Sequence, residues 1–187
     1  VLKWQLDLGD LAGARKRWAV YDALVDALDE PVTRNDRALF GAELTAAGGD
    51  IDGAIRQLRR FLRQVRTDNP GFELYVQIPL ARLLLQRGDA VAALRATRRG
   101  IDCLEQRGFA RTGFGQSQDI WWWHSRALAA LGRHEAAWAA LQQAHARMLV
   151  SVRNVPDEGL RRSFLNKLPV HRALVPAWLA EAQRRGI

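Results

Sequence analysis

The residue types that most often carry catalysis or bind metals are few in this chain: four histidines and one cysteine among 187 residues. The segment 134–138, His-Glu-Ala-Ala-Trp, begins like the zinc-protease motif, but tryptophan stands where the second histidine ligand is required. The other histidines, His124, His145 and His171, do not cluster with it in the sequence. We therefore expect helix or turn histidines, no metal site and no cofactor.

A lone cysteine and a glycine-rich segment are two further candidates for a reactive or ligand-binding site. Cys103 has no neighbouring residues that would activate a thiolate, so we expect a buried structural thiol. The segment 108–116 contains three glycines but lacks the Gly-Lys-Ser/Thr ending of a phosphate-binding loop, so we expect a connecting loop. Because the chain shows no catalytic constellation, the sequence predicts that the protein is not an enzyme.

The charge of the chain permits several kinds of partner. Lysine and arginine total 28 against 20 acidic residues, which gives a net charge of +8. Such a surplus attracts nucleic acid, acidic proteins or anionic lipid, and it also favours solubility. The sequence has no apolar run long enough to span a membrane and no secretion signal, and a single cysteine suits a reducing compartment. We expect a cytoplasmic protein that does not associate with membranes.

A repeated turn organises these residues along the chain. A glycine, a polar residue and an alanine five residues after the glycine occur together four times, starting at Gly9, Gly49, Gly88 and Gly132. The spacings of 40, 39 and 44 residues indicate a repeat of helix hairpins. Each glycine suits the left-handed residue that follows a helix, and the aspartate after the first three glycines suits the N-cap of the next helix.

Small residues flank each turn because two helices joined so closely must approach one another. Alanine follows the four glycines at Ala14, Ala54, Ala93 and Ala137, and a small residue precedes the last three at Ala42, Ala81 and Ser125. Apolar residues recur at helical spacing, and no strand pattern is present. The sequence predicts helices at 11–28, 35–47, 51–67, 71–87, 89–106, 117–131, 135–153, 157–166 and 170–185.

This pattern resembles the tetratricopeptide repeat (TPR) family. The last repeat matches it best, with residues at the family's spacing for its tryptophan, small residues, turn glycine and packing alanines: Trp121, Ser125, Leu128, Gly132, Ala137, Leu141 and Ala144. The earlier repeats have Ala38 and Gln77 in place of the tryptophan, and the period exceeds the usual 34 residues. The resemblance implies an all-α, right-handed α-solenoid of helix-turn-helix repeats, closed by C-terminal capping helices.

The longer period also resembles the repeat regions of large bacterial ATP-dependent signalling and transcriptional regulators. We expect TPR-like repeats, about three and a half pairs, over 1–153 and capping helices over 154–187. The capping segment contains prolines that suit helix starts at Pro156 and Pro169. The chain begins with Val1 rather than methionine, which indicates a piece of a longer polypeptide.

The first helix of each pair lines the concave side in this family, which predicts a binding groove there. The groove residues predicted from the spacing are Leu39, Glu43, Ile78, Arg82, Trp122 and Arg126. Three consecutive tryptophans on one helix point about 100° apart. We therefore expect Trp121 to pack in the core, Trp122 to tilt into the groove and Trp123 to face a neighbouring helix. A packed or merely solvated inner surface is the alternative.

The second helices carry arginines in a repeating register. These arginines are Arg56, Arg59, Arg60, Arg63, Arg95, Arg98 and Arg99, and stacking would place them in rows on the convex side. The last repeat interrupts this arginine ladder with Ala139, Gln142 and Gln143. A solvated surface explains the ladder, and so does binding of an acidic partner or a nucleic-acid backbone.

Together these features predict a non-catalytic module of a bacterial regulator or signalling ATPase. Its concave face would bind a protein or peptide, or a small-molecule effector, and pass the change to an attached domain. Binding of nucleic acid or an acidic partner through the arginine ladder is the alternative function, and a homodimer is compatible with the sequence.

Overall fold

The computed structural model describes residues 5–6, 9–28, 30–68, 72–106 and 117–187, and these described residues form nine long helices and no strand. The helices are α1 (Leu11–Leu28), α2 (Pro31–Ala47), α3 (Ile51–Asp68), α4 (Glu73–Gln86), α5 (Ala90–Gln106), α6 (Ser117–Ala130), α7 (His134–Arg153), α8 (Glu158–Lys167) and α9 (Pro169–Arg184). Each predicted helix is present. The start of α2 is four residues earlier than predicted because proline fits the first turn of a helix. The predicted loop over 108–116 lies outside the described residues.

The repeated glycines form the predicted turns. Gly49, Gly88 and Gly132 all have positive φ, between 71° and 98°. The residue after each glycine donates its backbone N–H to a carbonyl in the last turn of the preceding helix, as in Arg133 N to Leu128 O at 3.0 Å. A side chain with a Cβ would be strained in this left-handed conformation, so the hairpin depends on glycine.

The predicted aspartate caps are present as well. The carboxylates of Asp10, Asp50 and Asp89 accept backbone N–H bonds at 2.9, 2.7 and 3.0 Å, three residues further along the chain. The fourth turn has Arg133 at this position, and its side chain makes no cap. The first three turns thus satisfy one more N–H group of the following helix than the fourth does.

Small residues allow the helices of each hairpin to touch. Ala42, Ala54, Ala81 and Ala93 are fully buried at the contacts between α2 and α3 and between α4 and α5. In the third hairpin Ser125 is 5% exposed, and its hydroxyl donates to the carbonyl of Ala137 at 2.8 Å. The serine side chain is small enough for this close approach, and the Ala137 carbonyl gives its buried hydroxyl a hydrogen-bond partner.

Three hairpins, α2–α3, α4–α5 and α6–α7, stack in chain order into a right-handed α-solenoid. The first helices α2, α4 and α6 contact one another along one side, and α5 packs on α6. A continuous cluster of buried alanine, leucine, isoleucine, valine and phenylalanine side chains joins α2 through α7. The first helices line the inner, concave surface and the second helices the outer, convex one.

The C-terminal helices close the stack, as the sequence predicts. Helix α9 packs on α7 and α6, burying Leu174 fully against Met148 and Ala144. Arg185, which follows α9, donates two hydrogen bonds to Glu135 at the start of α7, at 2.8 and 2.9 Å. Helix α8 has no buried residue, so most of the apolar end is covered by α9.

No helix in the described part of the chain combines the length and the hydropathy needed to cross a bilayer.

Candidate functional site

The inner surface carries a row of charged residues at one repeat position. Glu43, Arg82 and Arg126 each lie six residues before a turn glycine. Arg82 Nη2 donates to Glu43 Oε2 at 2.6 Å, which joins α2 to α4. Both side chains remain about one-third exposed, at 32% and 28%. The predicted charged members of the groove thus share one face, and two of them form an ion pair.

A groove opens beside this row, between α4 and α6. We call it the inner groove; it has a volume of about 490 Å³ and is lined by Arg82, Leu85, Gln86, Trp123, Arg126 and Ala130. Its size falls within the range of ligand pockets. The lining combines an indole ring, aliphatic carbons and two guanidinium groups, a set of groups that can hold an apolar side chain next to a carboxylate.

The predicted tilt of Trp122 into this groove is wrong. Its side chain is only 6% exposed and packs in the core with Trp138 and Leu141 of α7, and Trp123 lines the groove in its place. Arg126 remains close to it, with the guanidinium carbon 5.6 Å from the Trp122 ring centroid. The correction amounts to one residue, or about 100° around the helix.

Leu39 and Ile78 occupy the same repeat position as Trp122, and both are half-buried. Leu39 packs against the main core, while Ile78 packs against a cluster that includes Ile101 and Ile120. These residues face the interior because α3 and α5 cover that side of the first helices. Their apolar character, taken as a groove floor in the sequence, serves the packing of the hairpins.

The three adjacent tryptophans of α6 face three different environments. Trp123 lines the inner groove, Trp122 is buried against α7, and Trp121 lines a second cavity on the convex side. The rings of Trp122 and Trp123 meet edge to face at 6.3 Å. One short stretch of α6 therefore contributes an aromatic ring to the inner surface, the core and the outer surface.

The outer surface carries the arginine ladder, and all seven predicted arginines are exposed on α3 and α5. Within the described part of the chain, no acidic group lies within ion-pair distance of Arg56, Arg59, Arg60, Arg95, Arg98 or Arg99. Paired charges lie instead at the turn, where Arg87 bridges Asp52 and Asp89 at 3.1 and 3.0 Å.

The second cavity, which we call the outer cleft, lies between α5 and α7 over α6. It has a volume of about 630 Å³, and its residues are Arg98, Glu105, Trp121, His124, Leu128, Arg133, Ala136, Ala139, Ala140, Gln143 and Arg147. His124 Nδ1 lies 2.8 Å from the Thr97 hydroxyl. Burial, with a contribution from the charge of Arg98, lowers the pKa of His124 to about 4.

Sequence reasoning did not bring these outer residues together. The sequence placed Arg98 in the arginine ladder and showed that Ala139 and Gln143 interrupt it in the last repeat. An interruption of this kind does not by itself indicate a cavity. Trp123 could have been found from the register of the charged row, because it lies three residues before Arg126, one turn along the same face. Among the described residues, no group of three His, Cys, Asp or Glu side chains could hold a metal ion.

Comparisons with known proteins relate the chain by its fold. No family model and no curated protein sequence matches it. A solved structure of TPR-like repeats assigned to a kinesin light chain of Podosopora anserina superimposes with a TM-score of 0.62 over 99% of this chain and 83% of that one, at 17% sequence identity. A point variant of the same repeats gives 0.63 at 16% identity, with the same coverage. The chain therefore has the fold of TPR-like repeats.

Proposed function

We propose that this chain is a protein- or peptide-binding module that takes an extended segment of its partner in the inner groove. The observation that carries the proposal is the charged row beside Trp123, which presents an exposed arginine next to an aromatic ring on the concave side. Because Glu43 already pairs with Arg82, Arg126 supplies the less neutralised positive charge. A partner segment with an acidic side chain near Arg126 and an apolar one near Trp123 fits this arrangement.

We further propose that the module serves a larger cytoplasmic regulator of bacterial type. Such a module would transmit partner or effector binding to an attached ATPase or output domain by changing the contacts between repeats. The support is the resemblance of the long repeat period to the repeat regions of such regulators. The coding sequence around this segment tests the idea: an adjacent ATPase domain supports it, and a continuous reading frame without one contradicts it.

A displayed library of random decapeptides tests the inner groove. Peptides selected on the wild-type chain should share an acidic residue a few positions from an aliphatic or aromatic one. The double variant Trp123→Ala/Arg126→Gln should weaken their binding by at least about tenfold, because it removes both anchors. Trp122→Ala is unsuitable for this test because it would disturb the core.

The matched control is Arg59→Gln, an exposed arginine on the opposite surface. It should leave the binding of the selected peptides within about twofold of wild type, since only long-range charge changes. Peptides that bind equally well to the double variant, or that lose affinity with Arg59→Gln instead, would contradict the proposed groove.

The arginine ladder favours a second candidate function, binding of nucleic acid or an acidic protein on the convex side. Its exposed side chains lie in rows that repeat from α3 to α5. Phosphate contacts would make the affinity fall steeply with salt. Titration of a random double-stranded DNA oligomer at low salt, with the variant Arg56→Gln/Arg59→Gln/Arg95→Gln as comparison, tests it. Binding that is absent, or unchanged in the variant, excludes the nucleic-acid function.

A further inference from the structure

The outer cleft exists because the arginine ladder stops at α7. Ala139 occupies the repeat position held by Arg56 in α3 and Arg95 in α5, and it is exposed. Its small side chain leaves open space next to Arg98 on α5, where an arginine would otherwise stand. The interruption thus changes a charged surface into a cavity with arginines around it.

The charges around the cleft favour an anion. Three arginines, Arg98, Arg133 and Arg147, line it together with one acidic residue, Glu105. The charge of Glu105 acts on Arg147, whereas no acidic group among the described residues lies within ion-pair distance of Arg98 or Arg133. Because His124 stays neutral at neutral pH, the described lining carries two more positive than negative charges. Guanidinium groups bind carboxylates through paired N–H donors.

The rest of the lining is apolar. Leu128, Ala136, Ala139 and Ala140 provide aliphatic surface, and Trp121 adds an indole ring. The indole Nε1 is buried and has no hydrogen-bond partner among the described residues. The ring of Trp121 lines the cleft, so its indole N–H signal reports on a ligand that binds there. The cleft therefore offers aliphatic contact, donors for an oxyanion and a volume typical of small-molecule sites.

We propose that the outer cleft is a binding site for a small organic carboxylate, with its head group at Arg98 and Arg133 and its apolar chain over Leu128 and Ala140. This site is separate from the inner groove, since the two lie on opposite sides of α6. Its occupancy would bridge α5 and α7, the second helices of two successive hairpins. The site does not depend on the peptide-binding function proposed for the inner groove.

Octanoate and octanamide are suitable probes because they share a chain and differ mainly in the charge of the head group. Isothermal titration calorimetry should show octanoate binding to the full chain with a dissociation constant of about 1 mM or tighter, a reasonable affinity for so small a ligand. Octanamide should bind at least about tenfold more weakly. In ¹⁵N-correlated spectra, octanoate should shift the indole N–H signal of Trp121, which is assigned by its loss in Trp121→Phe.

Two variants separate a shaped site from a general attraction between charges. Ala139→Arg restores the ladder residue of the other hairpins, fills the cleft and adds a positive charge. We expect it to weaken octanoate binding at least about tenfold, whereas simple charge attraction would strengthen binding. Arg98→Gln should weaken it at least about fivefold, and the distant Arg59→Gln should leave it within about twofold of wild type.

Several results would overturn the proposal. These are no measurable octanoate binding, equal binding of octanamide, and undiminished binding by Ala139→Arg. Inorganic phosphate that competes fully with octanoate at equal concentration would also overturn it, because the site would then recognise a bare anion without using its apolar surface. Ala139→Arg should fold normally, since the position is exposed and arginine is a good helix former.

Discussion

The inner groove and the outer cleft lie on opposite sides of α6, and both combine tryptophan with arginine. In the inner groove the arginine of α4 is already paired with Glu43, and the surface runs along successive first helices. In the outer cleft positive charges exceed negative ones, and the lining comes from α5, α6 and α7. A surface with partly matched charges that runs along successive repeats suits a polymer, while a cleft with surplus positive charge beside aliphatic side chains suits a small organic anion. The two proposals therefore assign different kinds of recognition to opposite sides of one helix.

The largest effect on stability is expected in α6, the helix that contributes to both surfaces. Trp122 is buried between them, so Trp122→Ala should lower the free energy of unfolding by about 4 kcal/mol, as for other buried tryptophans. Trp123→Ala should cost only about 1 to 2 kcal/mol because that ring is half-buried at the groove. Urea denaturation followed by circular dichroism measures both. Similar costs for the two variants would mean that the comparison of core and groove tryptophans is mistaken.

The next largest effect on stability is expected at the contact between α6 and α7, where Ser125 lies. Ser125→Leu should destabilise the chain by about 3 kcal/mol, since it forces apart α6 and α7 where they meet closely. Ser125→Ala preserves the space and loses one hydrogen bond, so about 1 kcal/mol is expected. Thermal unfolding of the two variants distinguishes them. If leucine is tolerated as well as alanine, the close approach of the two helices does not limit the residue at 125.

A smaller effect is expected for the ion pair of the inner surface. Glu43→Gln should lower the free energy of unfolding by about 1 kcal/mol, because the pair is partly shielded from solvent and joins two repeats. Asp52→Asn, whose side chain is 63% exposed, provides the control and should cost about 0.3 kcal/mol. Urea denaturation at low and high salt measures both losses. Equal losses in the two variants would remove the distinction between the inner row and the solvated turn.

The mildest test uses pH and concerns the outer cleft. The pKa of His124 is lowered to about 4, mainly by burial and also by Arg98, so the imidazole should remain neutral well below pH 6 in a proton NMR titration. Arg98→Gln should raise this pKa but keep it below 6.5, because burial, the larger cause of the shift, remains. A pKa near 6.5 in the wild-type chain would show that the ring is solvated.

The same histidine makes folding sensitive to acid. Its pKa is lower in the folded than in the unfolded chain, so the unfolded state binds more protons as pH falls from about 6.5 towards 4. The contribution of neutral His124 to the free energy of unfolding is fully present above the pKa of the histidine in the unfolded chain, and it declines as pH falls through this interval. Burial also lowers the pKa of His145 and of His171, so all three contribute in the same direction. The described residues of the inner groove include no histidine, so peptide binding there should vary less with pH over this range.

Much of the fold could be predicted from the sequence because its signals are local. A glycine with positive φ, an aspartate that caps the next helix and an alanine at the contact act within a few residues of each turn, as at Gly49, Asp50 and Ala54. The fourth turn lacks one of these signals, since Arg133 takes the place of the aspartate and its side chain does not cap the helix. The glycine and the small residues alone were enough to predict that hairpin.

The candidate sites were less predictable because a face of a helix is defined by what packs against it. Choosing Trp122 rather than Trp123 for the groove was an error of one residue, which only the positions of α4 and α7 could correct. The sequence predicted the charged row on the inner side, but its ion pair depends on the stacking of α2 against α4. The outer cleft needed three helices together, and no local pattern describes it.

The sequence by itself determined that helices pair and recur, since glycine, aspartate and alanine impose their preferences through backbone geometry and size over short distances. The tertiary structure decided which rings and charges meet, because small differences in rotation between stacked helices set which side chains reach a surface. For this reason the repeat could be recognised from single residues, while the two proposed recognition surfaces depend on contacts between residues from different hairpins.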